Sequence, residues 1–332
     1  MLSFDRTGFI FLIKFVALFA CLVFLTKIGA DFMFSPSERS GNAISAGEAN
    51  ISSQNKNRMA MVAAVLNTPD PVIRLGFVGD IMLGRKVKES ILKNGGGDFR
   101  YPFEKIYRSL NEYDILFGNL EGPISDKGRD LGSLYSFRMD PKAAEGLAFA
   151  GFDILSLANN HIGDWGEEAI DDTALRLERA GIVSVGRDYS PKILNIHGVK
   201  IAFLAFFNAP EAEIKKSVEF AKLNADIVVA SFHFGDEYEK APNKFQKKIA
   251  LLAVDTGANL VIGHHPHIIQ PIEEYNGGYI AYSLGNFVFD QDFSEDTMRG
   301  ALLEVELSDK RIARIESKTI VINENFQPTQ PR

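Results

Sequence analysis

The chain has 332 residues, 46% hydrophobic and 24% charged, with a formal net charge of −7. That composition belongs to a globular protein and not to a disordered one, and an acidic balance without any basic block excludes a nucleic-acid binder. A single cysteine, Cys21, excludes an intramolecular disulfide and a cysteine-ligated metal.

Residues 8–25 read GFIFLIKFVALFACLVFL, eighteen residues broken by one charge, Lys14. This approaches the ~20 apolar residues that cross a bilayer as a helix, and the lysine stem can extend towards the interface. The stretch exceeds the ~7–15-residue core of a cleaved signal, although Gly29-Ala30 leaves cleavage open. A buried core helix is the third reading. The expectation is an N-terminal transmembrane helix, an uncleaved signal anchor over residues 8–28. A seven-residue cytoplasmic stub (1–7) cannot form a domain, so the long C-terminal part is the translocated one. Arg6 before the span and Lys27 after it encode orientation only weakly. Residues 29–70, rich in Ser, Asn, Gly and Ala and without a period, read as a flexible linker.

A domain follows over residues 71–325, with 326–332 as a tail. Apolar runs at 72–78, 113–117, 152–157, 227–232 and 259–262 read as strands, with helical periodicity between them at Ile170, Ala174, Leu177 and at Phe245, Ile249, Leu252. Gly181 and Gly257 stand where C-terminal caps belong. The alternation predicts an α/β domain with a largely parallel, doubly covered sheet.

Polar residues gather at the strand ends. Five of the six histidines (His161, His233, His264, His265, His267) follow apolar runs, as do Asp80 and Glu121; only His197 lies elsewhere, in a turn. In open α/β sheets that edge binds ligands. One histidine there is ordinarily structural; five beside two carboxylates point to a divalent-metal site assembled from several loops.

The strings GDIMLGR (79–85), GNLEGP (118–123), SLANNHIGDWG (156–166), HFGDEY (233–238), VIGHHPHIIQPIE (261–273) and YSLGNFVFDQ (282–291) resemble, in order, the motifs of the CapA, or poly-γ-glutamate synthesis, family. That family is related to the calcineurin-like metallophosphoesterases. The resemblance implies a two-sheet sandwich flanked by helices (α-β-β-α) with a metal site at one edge. It further implies Asp80, Glu121, Asn160, His233, His265 and His267 as ligands of a divalent metal, Mn or Zn ahead of Mg. His161 would act as general acid, with Asp164 either orienting it or capping a helix. Arg85 would grip an anion bidentately or simply lie on the surface. Glu121 has an alternative as a helix-start carboxylate, and Glu237 as part of a solvated loop. Asn159, His264, Glu237 and Asn286 would support the ligands, and Asp290 and Gln291 would shape the floor. Extended backbone would send His265 and His267 to the same side. The pattern departs at Met82, where metallophosphoesterases usually carry a histidine ligand; a thioether is a poor donor to these metals. Trp165 and Phe234 are lesser departures.

Three readings stand at this point: a metal-dependent hydrolase or transferase acting on a phosphoester or γ-amide, a non-catalytic subunit that holds polymer or organises its partners, and a general cell-surface phosphatase. The family resemblance implies an acidic surface polymer or its precursor, the membrane, and other membrane subunits of a synthase or export complex as partners. The expected location is the cell membrane, single-pass, with the C-terminal domain extracytoplasmic. A reporter fused after Arg332 should then be active only outside the cytoplasm; activity confined to the cytoplasm would overturn this topology.

Overall fold

The computed structural model describes residues 72–331; the expected stub (1–7), anchor (8–28) and linker (29–70) fall outside the described residues. In chain order the first half runs β1 (Ile73–Ile81), α1 (Arg85–Asn94), α2 (Tyr107–Leu110), β2 (Ile115–Leu120), α3 (Ala143–Ala150), β3 (Ile154–Ser156), α4 (Glu167–Arg179) and β4 (Val183–Val185). Next come β5 (Lys192–Ile196), β6 (Val199–Phe206), α5 (Glu211–Asn224), β7 (Ile227–His233), α6 (Lys244–Thr256) and β8 (Leu260–His264). The chain closes with β9 (Ile272–Tyr275), β10 (Gly278–Ala281), β11 (Asn286–Val288), β12 (Arg299–Ser308), β13 (Arg311–Ile322) and β14 (Pro328–Thr329).

These strands make two sheets. The first runs β14-β13-β12-β1-β2-β3-β4 with β11 beside β1; the second runs β5-β6-β7-β8-β10-β9. The β1–β4 strands are parallel, as are β6, β7, β8 and β10, whereas β12–β14 and the edge strands β5 and β9 are antiparallel. Period-two alternation sorts the side chains into three cores. Leu75, Phe77 and Phe117 of the first sheet meet Ile201, Phe203, Val229 and Ile262 of the second. Val78, Ile81, Leu116 and Leu155 face helices on the outer side of the first sheet, represented by Val87, Ile91, Leu147 and Leu177. Ala202, Leu204, Val228, Ala230 and Val261 face α5 and α6 through Ile214, Val218, Ile249 and Ala253. The architecture is an α-β-β-α sandwich.

The two-sheet arrangement implied by the family resemblance is present, whereas the strand pattern alone, read as one largely parallel sheet, did not show the division into two. Strands buried on both faces give unbroken apolar runs, and such runs do not record which sheet a strand joins. Two further expectations change. On α6 the buried stripe is Gln246, Ile249, Ala250, Ala253 and Val254, and Phe245 is 53% exposed. The fold also continues past residue 325: Phe326 is buried in the outer core and β14 pairs with β13.

β1 changes neighbour along its length. Ile73–Phe77 pair with β12, then Asp80 and Ile81 pair with Asn286 and Val288 of β11. Gly79 makes this handover possible, because a Cβ there would lie 1.9 Å from the Gly285 carbonyl oxygen.

Asp153, just ahead of β3, accepts the Leu116 N–H at 2.8 Å. Burial pushes its pKa up to about 6 in spite of that bond, with Asp114 adding like-charge repulsion. A carboxyl whose pKa is raised by folding leaves stability untouched below the ordinary value of 3.8, and costs stability progressively as pH rises to about 6 and beyond. Asp153→Asn keeps an acceptor for Leu116. It should raise stability at pH 7.5 by about 1 kcal/mol after allowance for partial exposure, or about 2–4 °C in melting temperature. The gain should vanish near pH 4. Melting curves at the two pH values test this, and an equal shift at both would refute it.

Candidate metal centre

The C-terminal ends of strands from both sheets meet at one edge of the sandwich. Asp80 is the penultimate residue of β1 and Asn119 that of β2, Glu121 follows β2 directly, His233 ends β7 and His264 ends β8. Asp80, Asn119, Glu121 and His264 are wholly buried, and His233 and His267 nearly so. Donor atoms of Asp80, Glu121 and His233 all lie within 4.8 Å of one another, and so do those of Glu237, His265 and His267. His267 joins the two groups: its Nδ1 is 3.3 Å from Asp80 Oδ2 and its Nε2 is 3.6 Å from Glu121 Oε1.

Around these donors the amides form a scaffold. Asn119 Nδ2 donates to Asp80 Oδ1 at 2.9 Å and lies 3.3 Å from His233 Nδ1. Asn159 donates to the Leu120 carbonyl and to Asn119 Oδ1, and accepts the His161 N–H. Asn160 Oδ1 sits 2.7 Å from His233 Nε2, so those two expected ligands touch one another. Asn286, register partner of Asp80, places Oδ1 3.0 Å from His267 Nδ1. His264 Nδ1 lies 3.2 Å from Asp80 Oδ1 but is out of hydrogen-bonding alignment, and neither of its nitrogens has a partner.

The backbone between the β8 histidines is not extended as the sequence suggested. His265 and His267 both have positive φ, 95° and 58°, and the His265 N–H turns back to Asp80 Oδ2 at 3.2 Å. Their rings are nevertheless brought to 6.0 Å, because two left-handed residues around Pro266 fold the loop back over Asp80. Arg85 and Tyr238 also have positive φ. Non-glycine residues in this region carry strain of about 1–3 kcal/mol each and tend to cluster at functional sites.

Charge explains the set. Burial pushes the Asp80 carboxyl up, but contacts with His264 and His267 outweigh it and hold the group well below the usual range. Burial leaves Glu121 well above its usual range, with His267 opposing the shift and Asp80 adding to it. His267 is pushed up to about 9: burial disfavours its charge, and Glu121 and Asp80 outweigh burial. Burial lowers His233 and His265, with neighbouring histidines adding to the shift. Two adjacent buried carboxylates thus draw positive charge into the centre, which a divalent cation supplies while leaving the imidazoles neutral. Glu121 Oε1 and His265 Nδ1 are buried without hydrogen-bond partners, which is how donors reserved for an ion present themselves. The oxygen and imidazole donor set fits a divalent metal.

His161 stands beside the centre. Its Nδ1 is 2.8 Å from Asp164 Oδ2, and its ring stacks on Phe137 at 3.8 Å. Asp164 is itself fixed by Ser133 Oγ and the Phe137 N–H, while α4 is capped at Gly166. Burial lowers the His161 pKa, with Asp164 opposing. Arg85, expected to be free for an anion, is paired bidentately with buried Asp290 at 2.5 and 3.0 Å and lies over the Phe137 ring. Met82 is buried in the helix-side core, its Sδ accepting the Gly84 N–H, and gives the centre no donor. Sequence reasoning passed over Asn119 and Phe137. Asn119 had a signal, since it occupies on β2 the strand-end place of Asp80 on β1; Phe137 had none.

Over residues 74–291 the sequence matches the family described as "Bacterial capsule synthesis protein PGA_cap". The chain belongs to this family. It is 33% identical over 306 residues to the capsule biosynthesis protein CapA of Bacillus anthracis, spanning 83% of this chain and 72% of that protein. It is 35% identical over 283 residues to the PGA biosynthesis protein CapA of Bacillus subtilis (strain 168), spanning 77% and 73%. Among solved structures, a phosphatase of Mycoplasma pneumoniae is similar with a TM-score of 0.49 and 16% identity, over 79% of this chain and 96% of that one.

Chelation should lower the melting temperature of this PGA_cap chain, and re-addition of Mn or Zn should restore it. An ion bound only by the folded state contributes about 2.7 kcal/mol at a hundredfold excess over Kd. An unchanged melting curve, with no metal in the purified protein, would show that these donors hold no ion.

Proposed function

We propose that this chain is a membrane-anchored, extracytoplasmic component in the synthesis or export of a surface polymer of the poly-γ-glutamate type, and that its metal centre performs hydrolysis or transfer at a phosphoester or γ-amide bond. The convergence of Asp80, Glu121 and His233 with Glu237, His265 and His267 at one sandwich edge carries this reading. Kinship with the two CapA proteins supports the polymer assignment. Partners would be the acidic polymer or its precursor and other membrane subunits of the same assembly.

A divalent cation, were it held by Asp80, Glu121, His233, Glu237, His265 and His267, would supply Lewis acidity at this edge. The chain's own residues supply the rest. Asp164 holds His161 through Nδ1, leaving Nε2 to move a proton at the leaving group, and Phe137 fixes the plane of the ring. The Asn119 and Asn159 amides hold the carboxylate and imidazole donors in place before substrate arrives, so little reorganisation accompanies the reaction.

A second reading, a binding subunit without turnover, is favoured by Met82, which gives no donor, and by the neutral amide of Asn119 at the heart of the centre. Two substitutions separate the readings. In the enzyme, His265→Ala should lower metal content and activity together, whereas His161→Ala should keep the metal and lower turnover about 10²–10⁴-fold. Normal polymer export by a His161→Ala strain, with no turnover in either protein, would leave the binding subunit.

A further inference from the structure

A cavity of about 340 Å³ opens beside the metal centre, between the ends of β6 and β7 and the start of α6. Five phenylalanines line it: Phe206, Phe207, Phe232, Phe234 and Phe245. His233 and His265, whose rings stand 4.6 Å apart, form the wall it shares with the centre. Its volume is at the lower end of the ~300–1,000 Å³ typical of small-molecule sites, and its lining sets aromatic faces beside polar groups of Asn208, Asp236, Asn243 and the two histidines.

Charge narrows the occupant. Among the described residues no lysine or arginine lines the cavity, and apart from the two histidines its one ionisable side chain is Asp236. The Asp236 carboxylate accepts from Asn243 Nδ2 at 2.7 Å, which fixes a negative charge in the lining. Phe245 is the telling residue. It sits one position off the buried stripe of α6, is 53% exposed, and turns its ring into this cavity instead of the core. An exposed phenylalanine at a helix start contributes little to the fold, but it completes an apolar wall for a ligand.

We infer that this cavity is a substrate subsite for an uncharged group that combines an apolar, aromatic-sized face with polar edges, carried on one side of the bond presented to His233 and His265. This deepens the proposed function and rests on it for the position of the reacting bond. A polymer segment with a carboxylate on every repeat does not belong in the cavity. The cavity takes what the polymer is joined to, or the donor group from which it is transferred, and the acidic chain lies on the other side of the centre.

The test uses the full chain in lipid nanodiscs, with fluorine NMR of 4-fluorobenzamide and 4-fluorobenzoate referenced to empty discs. Both probes are measured after chelator treatment, so that a carboxylate cannot bind through a metal. The amide should bind, the benzoate should bind at least tenfold more weakly, and Phe245→Ala should weaken the amide roughly tenfold, the loss of one aromatic wall. Equal binding of the two probes, or amide binding indifferent to Phe245→Ala, overturns the subsite. Metal binding is measured on the same samples before chelation. A protein that carries metal before chelation but binds no probe after it defeats the cavity alone, and one that binds the amide but carried no metal defeats the metal centre alone.

Discussion

Asp80 and Glu121 are carboxylates with no solvent exposure, set close together at the ends of neighbouring parallel strands. Left alone, such a pair would be too costly to bury ionised. Compensation comes from the other sheet: His233, His264, His265 and His267 all belong to β7, β8 or the loop after it. The sandwich is thus joined in two chemically different ways. Apolar side chains from both sheets fill most of the interface, and at one edge carboxylates from the first sheet face imidazoles from the second. Displacing one sheet against the other would part His267 from Asp80 and Glu121 in a dry environment, which ties the geometry of the site to the alignment of the sheets.

Much of this was legible in the sequence because the constraint is local. A carboxylate or histidine that follows an apolar run marks the polar edge of a sheet, and the structure brings Asp80, Glu121, His233, His265 and His267 together at such an edge. What the sequence did not carry is long-range. The division into two sheets depends on pairings such as Phe77 with Leu303, which no local period records. Asn119 was missed because an amide in a glycine-rich turn looks like a turn former; its role depends on groups from β1, β3 and β7 arriving around it. The His265–His267 geometry was anticipated for a reason that fails here, since the backbone is left-handed at both residues. Arg85 shows the opposite limit: its position was apparent, but its partner Asp290 lies too far along the chain to foresee.

The segment between β2 and α3 links the centre to its surroundings. Ser133 and Phe137 hold Asp164, Phe137 supports His161, and Arg85 lies over the same ring while bound to Asp290. Leu131, Leu134 and Tyr135 of this segment are exposed. The proposed proton-moving histidine therefore depends on a loop and not on a sheet.

The change of neighbour along β1 governs the order in which the molecule can be built. The first half of that strand is bordered by β12 and its last residues by β11, both distant from β1 along the chain. A polypeptide folded only through β8 contains Asp80, Glu121, Glu237 and His233 but lacks His265 and His267, and β1 still has one open edge. Loop closure over so long a span is slow. Until residues 286–307 are synthesised, the acidic edge stays wet and the metal donors are unassembled. A truncation that removes β11 and β12 would therefore strip β1 of its second neighbour and leave the Asp80 carboxylate facing water, where burial no longer tunes it.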